Sequence, residues 1–175
     1  MNRLMAVLVL FVLSTSARSA EIHNFRAGLA CTDGVSFGWI CHETEQIMIT
    51  GQGSCVYNGE DAPCTWYGFQ FEYSGFTEDT VFECTAMSSV PKNIGNPELE
   101  EKQNAVSNTY TLDDIEVGEG FYFNPQYRTF GLAEEALSHQ YETVECRLDG
   151  VKQVEFSREI IFPTLPDVGD AVLYD

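Results

Sequence analysis

The chain has 175 residues, with 27 Asp and Glu against nine Lys and Arg, so its formal net charge is −18 at pH 7. A surface this acidic repels nucleic-acid phosphates and anionic lipids, so neither is expected as a partner. A hydrophobic fraction of 44% with 13% aromatic residues argues against disorder. The negative charge either attracts a cationic partner or keeps the protein soluble in a salty medium, where salt screens the repulsion between the acidic side chains.

The N-terminus is predicted to be a secretory signal peptide. Arg3 supplies a positive start, residues 4–13 are an apolar run too short to span a bilayer, and small residues follow. Small side chains at positions −3 and −1 favour cleavage between residues 17 and 20, so residues 1–19 are assigned to the signal. Its removal, which includes Arg18, leaves seven basic residues against 27 acidic ones, a mature net charge of −20. We therefore expect a periplasmic or extracellular protein with no membrane insertion.

The rest of the chain is predicted to be one domain, residues 20–166, followed by a loose tail at 167–175. Six cysteines follow the signal, and an even number in an exported chain indicates three disulfides, for which fifteen connectivities exist. No C-x-x-C pair occurs, which disfavours a zinc ribbon or a thioredoxin-like redox site. We predict pairing in sequential order: Cys31–Cys41, Cys55–Cys64 and Cys84–Cys146.

The first two bridges would each close a short hairpin. The first closes a hairpin-like loop, and the second surrounds the turn residues Asn58-Gly59. A two-residue turn there sets Cys55 opposite Ala62 and makes Cys64 its diagonal neighbour, which is marginal reach for a disulfide.

The clearest strand is predicted at residues 65–74. Its odd positions carry Tyr67, Phe69, Phe71 and Tyr73, whereas most even positions are polar or glycine. This period of two is typical of a half-buried strand with an aromatic inner face.

Two similar stretches, T-V-F-E-C at 80–84 and T-V-E-C at 143–146, predict two further strands. Cys84 and Cys146 each lie in the middle of an apolar face. Two facing sheets could bring these faces together, which is the reason for pairing the two cysteines.

The intervening segments predict shorter elements. Two short helices are expected at 96–101 and 132–139, as excursions at the edge of the sheets. Turns are expected at Gly118-Glu119-Gly120 and at Asn124-Pro125. Alternation predicts four more strands, at 46–50, 109–115, 120–123 and 153–162.

A hairpin is predicted around Asp149-Gly150. A plain two-residue turn would mix inner and outer faces, whereas a shift of one residue sets Cys146 opposite Val154. A longer turn or a β-bulge is therefore expected. Arg158 interrupts the inward-facing residues of the last strand and indicates a second irregularity.

These elements predict an all-β, disulfide-stapled single β-sandwich. Its general architecture resembles immunoglobulin-like domains, but the residue signature departs from theirs. Trp66 precedes Cys84 instead of following it, and Val144 stands where those domains have a tyrosine. No particular family is indicated, and fold alone would not give function.

Aromatic residues supply two candidate binding positions. Trp66 has the outer parity of its strand, and an exposed tryptophan can anchor a sugar or a protein partner. The alternative is that Trp66 packs under a loop at the strand end. Tyr122 is the second candidate, because Phe121-Tyr122-Phe123 places aromatic rings on both faces.

Asp113, Asp114 and Glu116 form a dense acidic cluster and are further binding candidates, although they lack the pattern of a calcium loop. No cofactor is predicted. Calcium stays an alternative, because its ligands can converge from separate loops. No catalytic residue is predicted either, since the chain has no H-E-x-x-H or G-x-S-x-G motif and its three histidines are scattered.

The sequence thus predicts an exported, acidic, non-catalytic protein that binds a cationic protein partner, for example as an inhibitor of a secreted basic enzyme. One alternative is a structural subunit of a cell-surface or envelope assembly that uses its edge strands for contact. Another is a hydrolase whose site is assembled from distant loops.

Overall fold

The computed structural model describes residues 19–31, 38–57, 59–94, 103–112, 115–130 and 139–163. Residues 1–18 of the predicted signal peptide, the predicted helix at 96–101, residues 132–138 of the predicted helix at 132–139 and the predicted tail at 167–175 lie outside this part of the chain. His139, the last residue of the second predicted helix, belongs to a strand instead. Regular structure within it is entirely β. The ten strands are β1 (Glu21–Cys31), β2 (Trp39–Glu43), β3 (Gln46–Met48), β4 (Gly53–Tyr57), β5 (Glu60–Phe76), β6 (Phe82–Ile94), β7 (Gln103–Thr111), β8 (Gly118–Thr129), β9 (His139–Leu148) and β10 (Val151–Ile161).

The strands form two sheets of five that pack against each other. In the first sheet the long strand β5 pairs with β8 along one edge and with β1 and β4 along the other, while β2 extends the sheet from β1. The second sheet has the order β3-β10-β9-β6-β7. Only the β3–β10 pair is parallel among the described strands. The predicted β-sandwich is confirmed.

The inner face of β5 forms one side of the core. Its four aromatic residues are at most 5% exposed, as the alternation predicts. Against them lie apolar residues of β6 and β9, and Leu112 contributes from beyond β7. The buried members of this main cluster are Phe69, Phe71, Tyr73, Phe76, Phe82, Cys84, Ala86, Leu112, Val144, Cys146 and Leu148.

All three predicted disulfides are present, but the central one differs in its location. Cys84 and Cys146 are direct partners on the neighbouring strands β6 and β9, with their Cα atoms 4.1 Å apart. The expectation that this bridge joins two facing sheets is therefore wrong. Alternation shows that both sulfurs point into the core, but it cannot distinguish adjacent strands from opposed ones. Immunoglobulin domains, by contrast, bridge their two sheets.

The β4–β5 hairpin has the predicted register. Cys55 lies opposite Ala62, and Cys64 lies opposite Gly53. The diagonal disulfide joins Cα atoms 5.9 Å apart, within the ordinary range for such bridges.

The β9–β10 hairpin contains the predicted bulge. Asp149 and Gly150 both have positive φ angles, as in a tight two-residue turn, and the register shifts between Lys152 and Val154. Cys146 then faces Val154, which keeps the buried faces in phase. The bulge, and not a longer turn, provides the shift.

The second irregularity predicted at Arg158 does not exist. Arg158 pairs regularly with Glu142, and its side chain is buried on the inner face with the apolar residues around it. The prediction failed because it assumed that a charged residue could not keep an inward position.

The turn predicted at Asn124-Pro125 is also wrong, because β8 continues straight through it. Pro125 lies opposite Gly68 of β5, and no other described strand pairs with β8. An edge strand tolerates proline because the missing N–H can face away from the ladder. The strands approach closely at this point: a Cβ atom on Gly68 would lie 2.0 Å from the Asn124 carbonyl oxygen.

Candidate interaction surface

A row of apolar side chains lies on the outer face of the first sheet. Strand β8 presents Phe121, Phe123, Pro125 and Tyr127 to this face, and Trp66 of β5 is the cross-strand partner of Tyr127. We call these five residues the aromatic stripe. Phe121 is 53% exposed, and the other four are partly exposed.

The Trp66–Tyr127 end of the stripe is held by hydrogen bonds. The two rings are 5.1 Å apart and tilted at 58°. The Tyr127 hydroxyl donates to the Val56 carbonyl oxygen at 2.9 Å, and Trp66 Nε1 donates to the Ser54 carbonyl oxygen at 3.3 Å. Both acceptors belong to β4, so hydrogen bonds to the neighbouring strand hold the two rings in place. Trp66 therefore has the predicted outer position, half-buried against its neighbours.

Tyr122 lies on the opposite face from the stripe. Its ring packs in the core at 5.3 Å from Phe71 and 6.5 Å from Phe69, and its hydroxyl accepts a hydrogen bond from Asn124. The exposed aromatic residue of this segment is its neighbour Phe121. Phe121, Tyr122 and Phe123 are consecutive aromatic residues. Because side chains that point to both faces of β8 are apolar here, the hydrophobic pattern of the sequence could not show which face is the inner one.

Acidic residues flank the Phe121 end of the stripe. Glu72 is the cross-strand partner of Phe121, and Glu119 shares the outer face of β8; both are exposed. His23 of β1 is the cross-strand partner of Glu72, and Arg26 is the partner of Gln70. The Nε atom of Arg26 contacts the Glu43 carboxylate at 2.6 Å. The local surface charge is therefore negative.

The predicted acidic cluster is only partly described. Glu116 is exposed, and its backbone N–H donates to the Tyr73 hydroxyl at 3.1 Å. Asp113 and Asp114 lie outside the described residues. Among those described, no three His, Cys, Asp or Glu side chains converge as metal ligands.

An ionic cluster is buried between the two sheets. Glu142 is 1% exposed and accepts hydrogen bonds from Arg158 Nε at 2.8 Å and from Arg128 at 3.0 Å. Arg158 also donates to Gln126, and its guanidinium lies 4.5 Å from the centre of the Tyr67 ring. Glu142 and Arg158 belong to the second sheet, and the other three residues belong to the first. The cluster thus joins the sheets through charged hydrogen bonds.

Two buried polar groups beside this cluster have no hydrogen-bond partner in the described part of the chain: Arg158 Nη1 and the Tyr110 hydroxyl. Burial raises the pKa of Tyr110 to about 12, and the nearby Arg158 charge opposes the rise. This cluster was not predicted from the sequence. The predicted register already set Cys146 opposite Val154, and extending it by four residues sets Glu142 opposite Arg158.

A histidine–carboxylate contact lies on the outer face of the second sheet. His139 Nδ1 is 2.6 Å from Glu159 Oε1, which also accepts a hydrogen bond from the Tyr141 hydroxyl at 3.0 Å. Such a contact can orient an imidazole for catalysis. However, no serine, threonine or cysteine side chain in the described ranges is hydrogen-bonded to His139.

The pKa of Glu159 is lowered, first by its hydrogen bond with His139 and then by that with Tyr141, and the pKa of Tyr141 is raised by the same contact. We expect His139→Gln to raise the Glu159 pKa and Glu159→Gln to lower the Tyr141 pKa. Carboxyl NMR and ultraviolet titration would measure these shifts. Because the folded Glu159 pKa lies below the unfolded one, the interaction stabilises the fold above the ordinary glutamate range and is lost as pH falls through the folded value. An unchanged Glu159 pKa in His139→Gln would show that the contact does not persist in solution.

A cleft of about 350 Å³ opens between β1, the β2–β3 connection and β10. Phe25 and Phe156 form its apolar part, with ring centroids 5.3 Å apart. Of its two glutamates, Glu43 is bound by Arg26, whereas Glu45 has no ion-pair partner in the described ranges.

No described segment is a helix long and apolar enough to cross a membrane. Three disulfides are compatible with an oxidising compartment such as the periplasm or the extracellular space. Comparison of the chain with protein-family models, with curated proteins and with solved structures finds no match.

Proposed function

We propose that this chain is an exported, non-catalytic binding protein for a cationic protein partner, acting as a binder or inhibitor of that partner. The observation that carries the proposal is the placement of its acidic residues. Of those in the described ranges, only Glu142 is buried, and every other one is exposed or partly exposed. The described acidic side chains other than Glu142 therefore lie at the surface, where they can steer a basic partner.

The scaffold suits such a role. Two disulfides close short hairpins, and the third joins the central strands β6 and β9. A rigid scaffold loses little conformational entropy on binding, which leaves more of the contact energy for affinity. Export through the predicted signal peptide would place the protein where secreted basic proteins are found.

The structural-subunit alternative has one observation in its favour. Strand β7 pairs only with β6 among the described strands, so its other edge could accept a strand from a neighbouring subunit. Sedimentation over a range of concentrations would separate the two functions, since an assembly subunit self-associates or co-purifies with envelope components.

Salt dependence tests the proposed function directly. Basic proteins captured from envelope and medium fractions at low salt would be identified by mass spectrometry, purified, and titrated by calorimetry. Raising the salt from about 0.1 M to about 1 M shortens the Debye length from about 10 Å to about 3 Å, so the affinity should fall at least tenfold. An affinity that stays flat over this range, or the capture of acidic proteins alone, would refute the proposal.

A further inference from the structure

We infer that the aromatic stripe is the docking surface and that its occupant is an extended, Arg- or Lys-bearing segment of the partner. This inference rests on the proposed function, because it identifies where the cationic partner binds. Basic side chains of the segment would lie on the rings of Trp66 and Tyr127, and further ones would meet Glu72 and Glu119 at the other end.

Hydrogen bonds to β4 explain the Trp66–Tyr127 end of the stripe, but they do not explain its exposed Phe121 end. The inner face of β8 already supplies Tyr122 to the core and Gln126 and Arg128 to the ionic cluster. The outer face nevertheless carries apolar residues at four successive positions, from Phe121 to Tyr127. Contiguous apolar surface of this kind is typical of a contact site, whereas isolated apolar residues are ordinary.

Local chemistry indicates a cationic occupant. A guanidinium or ammonium group is attracted to the face of a Trp or Tyr ring, and guanidinium groups stack on it as well. Trp66 and Tyr127 provide such rings in fixed positions, and the exposed carboxylates of Glu72 and Glu119 lie on the same face. An anionic ligand would be repelled by these carboxylates.

Geometry indicates that side chains, and not backbone pairing, make the contact. Pro125 lies in the middle of β8 and has no N–H to donate, which interrupts strand addition along this edge. The stripe covers six residue steps of β8, or roughly 20 Å of strand. An extended segment of similar length would place alternate side chains along it.

Trp66 provides the readout, because the chain has only two tryptophans. In a Trp39→Phe background, Trp66 fluorescence would be titrated with an eight-residue peptide of alternating Arg and Ser. The matched control peptide alternates Glu and Ser. We expect saturable binding of the Arg peptide and none of the Glu peptide.

Two pairs of variants locate the site. Phe121→Ser combined with Phe123→Ser should weaken Arg-peptide binding at least tenfold. The control variant, Val151→Ser combined with Met87→Ser, removes exposed apolar residues outside the stripe. It should change the affinity for the Arg peptide by less than twofold. The double variant Glu72→Gln with Glu119→Gln tests the contribution of the carboxylates. It should weaken Arg-peptide binding more than the control double variant Glu83→Gln with Glu155→Gln, although each variant removes two negative charges. Circular dichroism would confirm that each variant is folded.

Equal effects of the stripe variants and their controls would overturn the docking surface, as would a wild-type protein that binds neither peptide or both. The proposed function would survive that result if a purified cationic partner still showed the salt-dependent affinity described above. Conversely, a flat salt dependence would remove the proposed function irrespective of the peptide titrations.

Discussion

Replacing Glu142 by glutamine is expected to lower the free energy of unfolding by about 3–5 kcal/mol, since it removes one partner of a buried ion pair. Arg158 is 5% exposed and would keep its charge without the carboxylate that accepts its Nε hydrogen bond at 2.8 Å. Arg128, which also donates to Glu142, would lose that ionised partner as well. A buried guanidinium cannot relieve this by losing its proton, because arginine stays protonated in proteins.

Urea unfolding followed by circular dichroism would measure the loss, with an unchanged slope showing that the unfolded state is comparable. The matched control is Glu155→Gln, which removes the same charge from an exposed position on β10. Exposed ion pairs contribute little, so the control should shift the midpoint only slightly. Similar shifts for both variants would mean that Glu142 is not buried against Arg158 in solution.

A double variant distinguishes the loss of the ion-pair attraction between Glu142 and Arg158 from the cost of leaving the Arg158 charge buried without its partner. Glu142→Leu with Arg158→Met replaces both ions by apolar side chains, and such replacements are often close to neutral. We therefore expect the double variant to be more stable than Glu142→Gln. A double variant that is less stable would instead indicate that the loss of Glu142 as a partner of Arg128, or the loss of the Arg158 guanidinium from the packing of Gln126 and Tyr67, outweighs this gain.

Removing the central disulfide is expected to have the second large effect. Cys84→Ala with Cys146→Ala opens a loop of 62 residues, for which chain entropy predicts a loss of about 4 kcal/mol. Both cysteines are fully buried, so the lost packing adds to this figure. We expect folding to become marginal at about 37 °C, as is common for small domains that lose a native disulfide.

The control for this effect is the exposed bridge. Cys31→Ser with Cys41→Ser removes a bridge between cysteines only ten residues apart. For this shorter loop, chain entropy predicts a smaller loss of unfolding free energy, about 3 kcal/mol or less. Thermal unfolding of both variants would be compared under identical conditions. A greater loss from the exposed bridge than from the central one would contradict the core position of Cys84 and Cys146. Non-reducing peptide mapping would check the pairing itself.

The candidate surface could be predicted only in part. Trp66 was correctly placed outward, because its strand alternates clearly between aromatic and polar residues. Phe121, Phe123 and Tyr127 were not singled out, because β8 is apolar on both faces where its aromatics cluster. The predicted turn at Asn124-Pro125 also hid the continuity of β8, since proline ends a central strand but not an edge strand.

The buried cluster shows a similar limit. Inward parity was visible for Glu142 and Arg158 separately, but a charge at an inner position normally argues against burial. Only the pairing of β9 with β10, together with Arg128 and Gln126 from the opposite sheet, provides the partners that make burial tolerable.

By itself the sequence determined the all-β class, the aromatic inner face of β5, the one-residue register shift after Gly150 and the strongly negative net charge. Each of these depends on alternation, turn chemistry or charge, which are local properties of a few neighbouring residues. The tertiary structure alone decided that Cys84 and Cys146 belong to one sheet, that Glu142 and Arg158 of that sheet meet residues of the other, and that β8 is an edge strand among the described strands. These outcomes depend on which strands become neighbours, and strand neighbours are set by contacts between segments far apart in the chain.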